Sequence, residues 1–465
     1  MPAKYIIHTR TAPNRFKPFT KSGIIAWTEG CLKCPVCVKK QCVYKVYDNL
    51  GLDAKQMIDS IDNQCMNCLR CVQGCPKELL HKSINPEYKA LGDSYWTPDI
   101  IAQLWRQAET GRIPVSGSGY SGPFSGPGFD SMWTDMSEIV RPTRDGIHGR
   151  EYISTGIDLG GTPRHLAFTD SGDLESDPPL LVNIPLPVIL RVPPFGFYGK
   201  GTIKGWAMAA RELKTFLALP NEMIKGELVD FKENLIPIIS PRQHFSIDGL
   251  EGVRLVEVPW EKNWKDISRK IKQAHPAVLI SCRTPLVRGA EERVLSIVDS
   301  GASIIHLEGS SWGKSADDNS IFLKDIIRSI HLTLVENGVR DDVTILASGG
   351  LAMAEHVGKS ILCGADGLII DFPILVALEC RMCGRCTKGL TCPVEIDQAE
   401  PSWVASRVVN LLGAWHSQLL EVMGAMGIRD VRRLRGETGR AMFFEDLDRN
   451  AFGSLGKIKE GYELE

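Results

Sequence analysis

The sequence predicts an α/β chain built around a (β/α)8 barrel, with a two-cluster cysteine domain before it and a third cysteine segment and helical tail behind it. Three observations carry this. Eight short β-branched or apolar runs alternate with helical patterns over about 200 residues, which is the strand count of the barrel. Eight cysteines fall within the first 75 residues. Four more follow the last strand. The expected division is 1–111 for the cysteine domain with a helical extension, 112–180 for a connecting segment, 181–379 for the barrel, 380–400 for the third cysteine segment and 401–465 for the tail. A doubly wound open sheet is the rival arrangement, and the count of eight favours closure.

The first cysteine run is Cys31, Cys34, Cys37 and Cys42, and the second is Cys65, Cys68, Cys71 and Cys75, followed by Pro76. The second matches the bacterial ferredoxin spacing C-x2-C-x2-C-x3-C-P, and the first differs only in a longer last gap. In that arrangement the fourth cysteine of each run ligates the other cluster, so the expected sets are Cys31, Cys34, Cys37 with Cys75, and Cys65, Cys68, Cys71 with Cys42. Thiolates suit sulfide-bridged iron because both are soft. A pair of zinc sites is the alternative. Four cysteines per run, the third at x2 and the following proline argue for two [4Fe–4S] clusters.

A helix is expected over 97–110. The stretch 115–128 then has the composition of a linker. Its surroundings carry Tyr120, Phe124, Phe129 and Trp133, so it is expected to pack across a surface.

The barrel strands are expected at 188–192, 215–219, 236–240, 253–258, 277–281, 303–307, 343–347 and 367–371. The clearest helices between them are at 263–274, 290–300, 321–337 and 352–363. In such barrels the ligand sits at the C-terminal ends of the strands, with phosphate at the loops after strands seven and eight. Strand seven ends in Ser348, Gly349 and Gly350, and Gly364 opens the turn into strand eight. Glycines let backbone N–H groups approach an anion, and the helix expected from Ala352 points its positive end at the same place. Tight turns need glycine whatever the function. Asp371 argues the other way, because it puts a carboxylate beside the phosphate unless it turns away or is paired.

The third run is Cys380, Cys383, Cys386 and Cys392, again followed by proline. It reads as a further iron–sulfur ligand set at the barrel mouth, and zinc remains its rival. The remaining two cysteines, Cys282 and Cys363, read as buried core thiols.

Composition narrows the function classes. A formal net charge of −2 gives no electrostatic case for nucleic acid or an anionic membrane. Hydrophobic content of 43% with 24% charged residues describes a globular protein. The longest apolar stretch, 180–192, is broken by Asn183, Pro185 and Pro187 and is too short to span a bilayer. Residues 1–15 show no apolar h-region. Dense cysteine without an export signal reads as metal binding in a reducing compartment, so a cytoplasmic location is expected.

Several segments resemble the archaeal-type glutamate synthases. They are 137–152, SEIVRPTRDGIHGREY; 337–350, NGVRDDVTILASGG; and, in the tail, 408–412 and 419–437. The resemblance implies an FMN barrel that receives electrons from ferredoxin-type clusters and reduces the 2-iminoglutarate formed from 2-oxoglutarate and ammonia. It also implies an electron-donor protein, a separate glutaminase subunit supplying the ammonia, and a multi-subunit complex. The family's cluster after the barrel is usually [3Fe–4S] on three cysteines. Cys380, Cys386 and Cys392 resemble that trio, and Cys383 is extra and would complete a [4Fe–4S] centre.

The middle of the barrel departs from the family. After strand one, where the family has a small-residue turn that packs on the flavin, the chain reads PPFGFYGK over 193–200 and keeps only the Phe195–Gly196 pair. The family's glycine-rich segment after strand two is replaced by LALPNEM at 217–223, and its basic, glycine-rich substrate loop has no counterpart at 240–253. The later glycine-rich turn is represented by EGSSWGKS at 308–315. Lys200, Arg283, Arg288 and Lys314 are the candidate replacements for the lost charge, with Arg283 best placed to face a flavin or an anion. No catalytic residue is assigned. The alternative reading is an electron-transfer subunit that has lost glutamate synthase chemistry.

Overall fold

The computed structural model describes residues 5–19, 21, 24–27, 34–43, 45, 68–113, 127–134, 153–161, 167–175, 179–196, 198–240, 249–436 and 441–459. Cys31 and Cys65, and with them part of each N-terminal ligand set, lie outside these residues, as do Tyr120 and Phe124 of the connecting segment.

Eight parallel strands close into a barrel: β1 Val188–Arg191, β2 Leu217–Pro220, β3 Leu235–Ile238, β4 Leu255–Pro259, β5 Leu279–Pro285, β6 Ile304–Glu308, β7 Thr344–Ser348 and β8 Gly367–Ile370. Each pairs with the next, and β8 returns to β1 through Leu368↔Val188 and Ile369↔Ile189. The strands are buried along nearly their whole length because barrel interior and helix layer cover both faces. That is why they read in the sequence as continuous apolar runs. Seven of the eight lie within about two residues of their expected bounds, and β5 runs four residues further than expected, to Pro285.

The helix layer is less regular. Helices α1 Pro98–Thr110, α3 Trp264–Ala274, α4 Ala290–Asp299, α5 Leu323–Glu336 and α6 Glu355–Leu362 lie near their expected places. Between β1 and β2, α2 Lys200–Glu212 appears where no helix was singled out. Gly205 explains it: a Cβ there would lie 2.5 Å from Val404 and 2.7 Å from the Pro401 carbonyl. Glycine lets α2 press against the later helix α8 Pro401–Ala425. A short helix α7, Phe372–Val376, follows β8 directly, and Phe444–Lys459 forms the terminal helix α9.

Long α8 organises the outer surface. Arg407, wholly buried, donates to the carbonyls of Ala377, Ala12 and Trp105 and to Asn14 Oδ1. Asn410 donates to the carbonyls of Arg10, Ala108 and Glu109. These bonds strap the N-terminal segment and α1 onto the barrel. The connecting segment packs as expected where it is described: Phe129 and Met132 are buried, and Trp133 meets Phe444 edge-on at 6.1 Å. At the N-terminal end of the barrel, the ribbon Ile157–Leu159 with Val182–Ile184 seals the interior. Cys282 and Cys363 are buried core thiols, and burial pushes both up to about 12.

Among the described residues, no helix is long and apolar enough to cross a membrane.

Candidate functional site

Inside the C-terminal end of the barrel, charged side chains interrupt the apolar strands. Arg191 ends β1, Glu257 lies in β4, Arg283 in β5, His306 and Glu308 in β6, and Ser348 ends β7. They form one chain of contacts. Ser348 Oγ lies 2.7 Å from His306 Nε2, and His306 Nδ1 lies 2.7 Å from Glu257 Oε2. Arg283 Nε sits 2.8 Å from Glu257 Oε1, an ion pair that lacks the angle of a hydrogen bond, so both atoms are without a hydrogen-bond partner among the described residues. The same guanidinium donates to Glu308 Oε2 at 2.5 Å, and Arg191 donates to Glu308 Oε1.

Burial makes this network costly to break. Arg191 is 7%, Glu257 1%, His306 0% and Ser348 2% exposed. Burial pushes the Glu257 carboxyl up, but His306, Arg283 and Arg191 outweigh it and hold the group at about 2. The sign follows. A carboxyl held below its unfolded value stabilises the fold above about pH 4.5, and that contribution drains away as pH falls towards 2. On the order of 3 kcal/mol is at stake. Between pH 5 and pH 3, one unit above the folded value, the unfolding free energy from urea titrations is expected to fall by about 2 kcal/mol more in the native protein than in Glu257→Gln.

Of the cations expected at the site, Lys314 is half-buried on the loop after β6, with its Nζ 5.5 Å from the centroid of the Phe322 ring. Arg283 does stand at the mouth end of β5, and two carboxylates already meet it. Lys200 is exposed at the start of α2, and the Arg288 side chain is 77% exposed, 4.0 Å from Asp318. Phe195 packs against Phe372 at 5.1 Å between ring centroids, and Trp96 stacks on the same Phe372 ring at 5.4 Å and 18°. Gly196 has φ +98, and the hydroxyl of Tyr198 donates to the Phe195 carbonyl.

The turn after β7 has the expected backbone. Gly349 has φ +106 and Gly350 φ +61. What approaches them is the loop after β6. A Cβ on Gly349 would lie 2.5 Å from the Gly309 carbonyl carbon, and one on Gly350 would lie 2.0 Å from the Gly313 nitrogen. Tyr95 donates to the Gly350 carbonyl from the segment preceding α1. Helix α6 begins at Glu355, not Ala352, because the Ala352 N–H donates to His356 Nδ1 at 3.1 Å.

Gly364 is a correction. It lies at the other end of the barrel, where α6 has run back to the start of β8. There a Cβ would lie 2.3 Å from His331, and the Gly364 carbonyl accepts from Arg340 at 2.7 Å. Close packing accounts for this glycine, and it cannot join Gly349 and Gly350 around one phosphate. Asp371 is turned: it caps α7 by accepting the Phe372 N–H at 2.6 Å, and Arg191 opposes its charge at longer range. Burial raises its pKa all the same.

The third cysteine segment sits beside this mouth. Burial pushes the Cys380 thiol up to about 12, helped by Cys383, Cys392 and Cys386, while the Met382 N–H donates to its sulfur at 3.4 Å. With these neighbours Cys380 ionises readily only beside a cation. The loop is wound for it, with Glu379 at φ +69, Met382 at +51 and Gly384 at +64. Tyr198, on the loop after β1, feels Cys380, Cys386 and Cys392 together with Asp371. Cys383 is the exposed member.

In the N-terminal runs, Cys34, Cys37, Cys42, Cys68, Cys71 and Cys75 are described. The helical turns Val36–Lys40 and Arg70–Gln73 pack together, and a Cβ on Gly74 would lie 2.5 Å from Gln41. Cys42 and Cys75 therefore follow two residues in contact. Slight burial raises the Cys75 pKa, but backbone N–H groups of Leu79, Lys77, Glu78 and Leu80 more than offset it and favour the thiolate. Among the described residues, no three cysteine, histidine or acidic side chains gather as they would around a single ion. Cubane ligands bind different irons and stand further apart than ligands of one ion.

Sequence reading missed Arg191, Glu257, His306 and Glu308. The available signal was their place: charged residues inside strands that are otherwise apolar on both faces.

The chain is similar to several known proteins. Residues 238–429 match the family described as the conserved region in glutamate synthase. The NADPH archaeal-type glutamate synthase of Dehalococcoides mccartyi is 27% identical over 471 residues, covering 87% of this chain and 92% of that protein. The NADPH archaeal glutamate synthase of Archaeoglobus fulgidus is 26% identical over 495 residues, covering 92% and 95%. Among solved structures, a lactate oxidase of Pediococcus acidilactici is 14% identical with a TM-score of 0.42, covering 72% of this chain and 92% of that one. Mandelate oxidase with benzoyl-formic acid is 15% identical with a TM-score of 0.41, covering 67% and 98%.

Proposed function

Because the chain belongs to the archaeal-type glutamate synthase family, we propose that it is an iron–sulfur flavoprotein oxidoreductase, in which electrons pass from ferredoxin-type clusters to FMN in the barrel. The observation that carries this reading is the position of the third cysteine segment beside the charged mouth, with Tyr198 touching both fields. The mouth residues suit FMN in their chemistry. Arg283 supplies a cation at the end of β5, Phe195 and Gly196 line the turn after β1, and Ser348, Gly349 and Gly350 supply the turn after β7. Asp371 is no free anion against that turn, because its own helix and Arg191 answer its charge. When bound, FMN converts one-electron input into hydride chemistry.

The chain's own part is to hold and orient. Glu257 fixes Arg283 and His306, and His306 fixes Ser348, so the donors at the mouth are set before anything binds. The cysteine runs fit two [4Fe–4S] clusters with crossed fourth ligands, and backbone N–H groups around Cys75 and Cys380 stabilise sulfur-borne charge. The third segment supplies a further cluster, [3Fe–4S] on Cys380, Cys386 and Cys392 or [4Fe–4S] with Cys383. Electrons enter from a donor protein or redox subunit of a cytoplasmic complex. In the synthase reading a separate glutaminase subunit supplies ammonia.

One observation favours the second reading, an electron-transfer subunit without glutamate synthase chemistry. Both guanidiniums at the mouth are already matched by Glu257 and Glu308. A dicarboxylate needs unmatched cations or fixed N–H donors. The separating experiment is to reduce the protein anaerobically and add 2-oxoglutarate with ammonium. Reoxidation with glutamate formed in proportion supports the synthase reading. No reoxidation by this pair, with prompt reoxidation by an artificial acceptor, selects the relay.

A further inference from the structure

The barrel mouth is held from outside as well as from within. Between the second cysteine run and α1, residues 92–96 turn tightly. Asp93 Oδ1 accepts the N–H groups of Tyr95 and Trp96 at 2.8 and 2.7 Å, and the Asp93 N–H donates to the Trp96 carbonyl at 3.1 Å. Gly92 permits the turn, with φ +67 and a Cβ position only 1.8 Å from the Trp96 carbonyl oxygen. From there the segment reaches three separate elements. The Tyr95 hydroxyl donates to the Gly350 carbonyl after β7. Trp96 Nε1 donates to the Ser311 carbonyl at 2.9 Å, and Trp312 Nε1 donates to Asp93 Oδ2 at 3.1 Å, both on the loop after β6. The Gly92 N–H donates to the Arg381 carbonyl at 3.1 Å, inside the third cysteine segment.

The bond to Gly350 governs the donors of the turn. A carbonyl and the N–H of the next residue share one planar trans peptide and point in opposite directions. Holding the Gly350 carbonyl therefore holds the Leu351 N–H, directed away from Tyr95. The N–H groups of Gly349, Gly350 and Leu351 donate to no backbone acceptor among the described residues. Successive N–H groups on a turn of this kind suit an anion. Burial, with Asp130 and Asp93 nearby, raises the Tyr95 pKa, so the hydroxyl keeps its proton and stays a donor. Gly313, where a Cβ would lie 2.6 Å from the Tyr95 hydroxyl oxygen, leaves room for it.

We propose that Tyr95, supported by Asp93 and Trp96, is a positioning residue for the cofactor: from a segment outside the barrel, it fixes the turn after β7 in the form that receives a phosphate monoester. This inference rests on the FMN reading above. Without the hydroxyl, the Gly350 peptide is free to rotate, and the donors must be ordered at the moment of binding. That cost falls on the phosphate and not on the flavin ring.

The test compares FMN with riboflavin, which lacks the phosphate. Binding is followed by fluorescence quenching on the full-length protein, purified without oxygen and freed of flavin by dialysis, with its iron content checked. The native protein is expected to bind FMN about 100-fold more tightly than riboflavin. Tyr95→Phe should lower that ratio about 10-fold, the worth of one hydrogen bond, by weakening FMN alone. Tyr88→Phe removes a hydroxyl bond to Asp99 in the same stretch of chain and should leave the ratio unchanged. Asp93→Asn keeps an acceptor for the Tyr95 and Trp96 N–H groups and gives up the oxygen that meets Trp312. It should lower the ratio about 3-fold, and it carries the test if Tyr95→Phe does not fold. An unchanged ratio in the folded variants, an equal loss of FMN and riboflavin, or an equal fall in Tyr88→Phe overturns the proposal and leaves the flavin reading intact. A native protein that binds no FMN overturns both.

Discussion

Glu257→Ala is expected to destabilise the fold by about 3–5 kcal/mol, because it strands Arg283 and His306 inside the barrel without their carboxylate. The loss has two parts. Arg283 keeps Glu308, but the guanidinium no longer has a partner at Nε. His306 keeps Ser348 and loses the acceptor at Nδ1. Denaturant midpoints measure the total. A Glu257→Ala protein within 1 kcal/mol of the native one would mean that the network closes over the gap. Glu257→Gln separates charge from shape: it keeps one contact to His306 and should recover part of the loss.

Gly350→Val is expected to be as severe, for a different reason. The residue has φ +61, which a β-branched side chain resists, and its Cβ would collide with the Gly313 nitrogen at 2.0 Å. Both loops are backbone at that point, so neither yields as a flexible side chain would. The loop after β6 must lift, taking Trp312 from Asp93 and Tyr95 from the Gly350 carbonyl. Flavin content and urea midpoint are expected to fall together, with FMN reduced at least 10-fold relative to protein. Full flavin content in a folded Gly350→Val protein would move the phosphate away from this turn.

These two substitutions also mark what the sequence made legible. The strand after which Gly350 falls was plain, because a parallel strand covered on both faces must be an apolar run, and β7 is buried at every position. The glycine pair was plain too, but its cause was not. Positive φ and close approach were expected of a bound anion, whereas the approaching group is the backbone of Gly309 and Gly313. The contacts of Glu257, unlike its place in an apolar strand, were not legible for a related reason. Its partners come from β5 and β6, and no spacing along the chain reports which side chains a closed barrel brings together. Helix α2 was overlooked because Gly201 and Gly205 lower helix propensity, while the packing against α8 that repays them is tertiary. Gly364 was assigned to the mouth by its distance along the chain from β8, and the direction of α6 puts it at the opposite end.

The central claim is that this chain wires iron–sulfur clusters to a flavin barrel. Its most direct test is the iron, zinc and FMN content of the full-length protein purified without oxygen. The account predicts about 11 or 12 iron atoms per chain, from two [4Fe–4S] clusters and a third of three or four irons, one acid-released FMN and no stoichiometric zinc. Zinc in place of iron, or clusters without any released FMN, would contradict it.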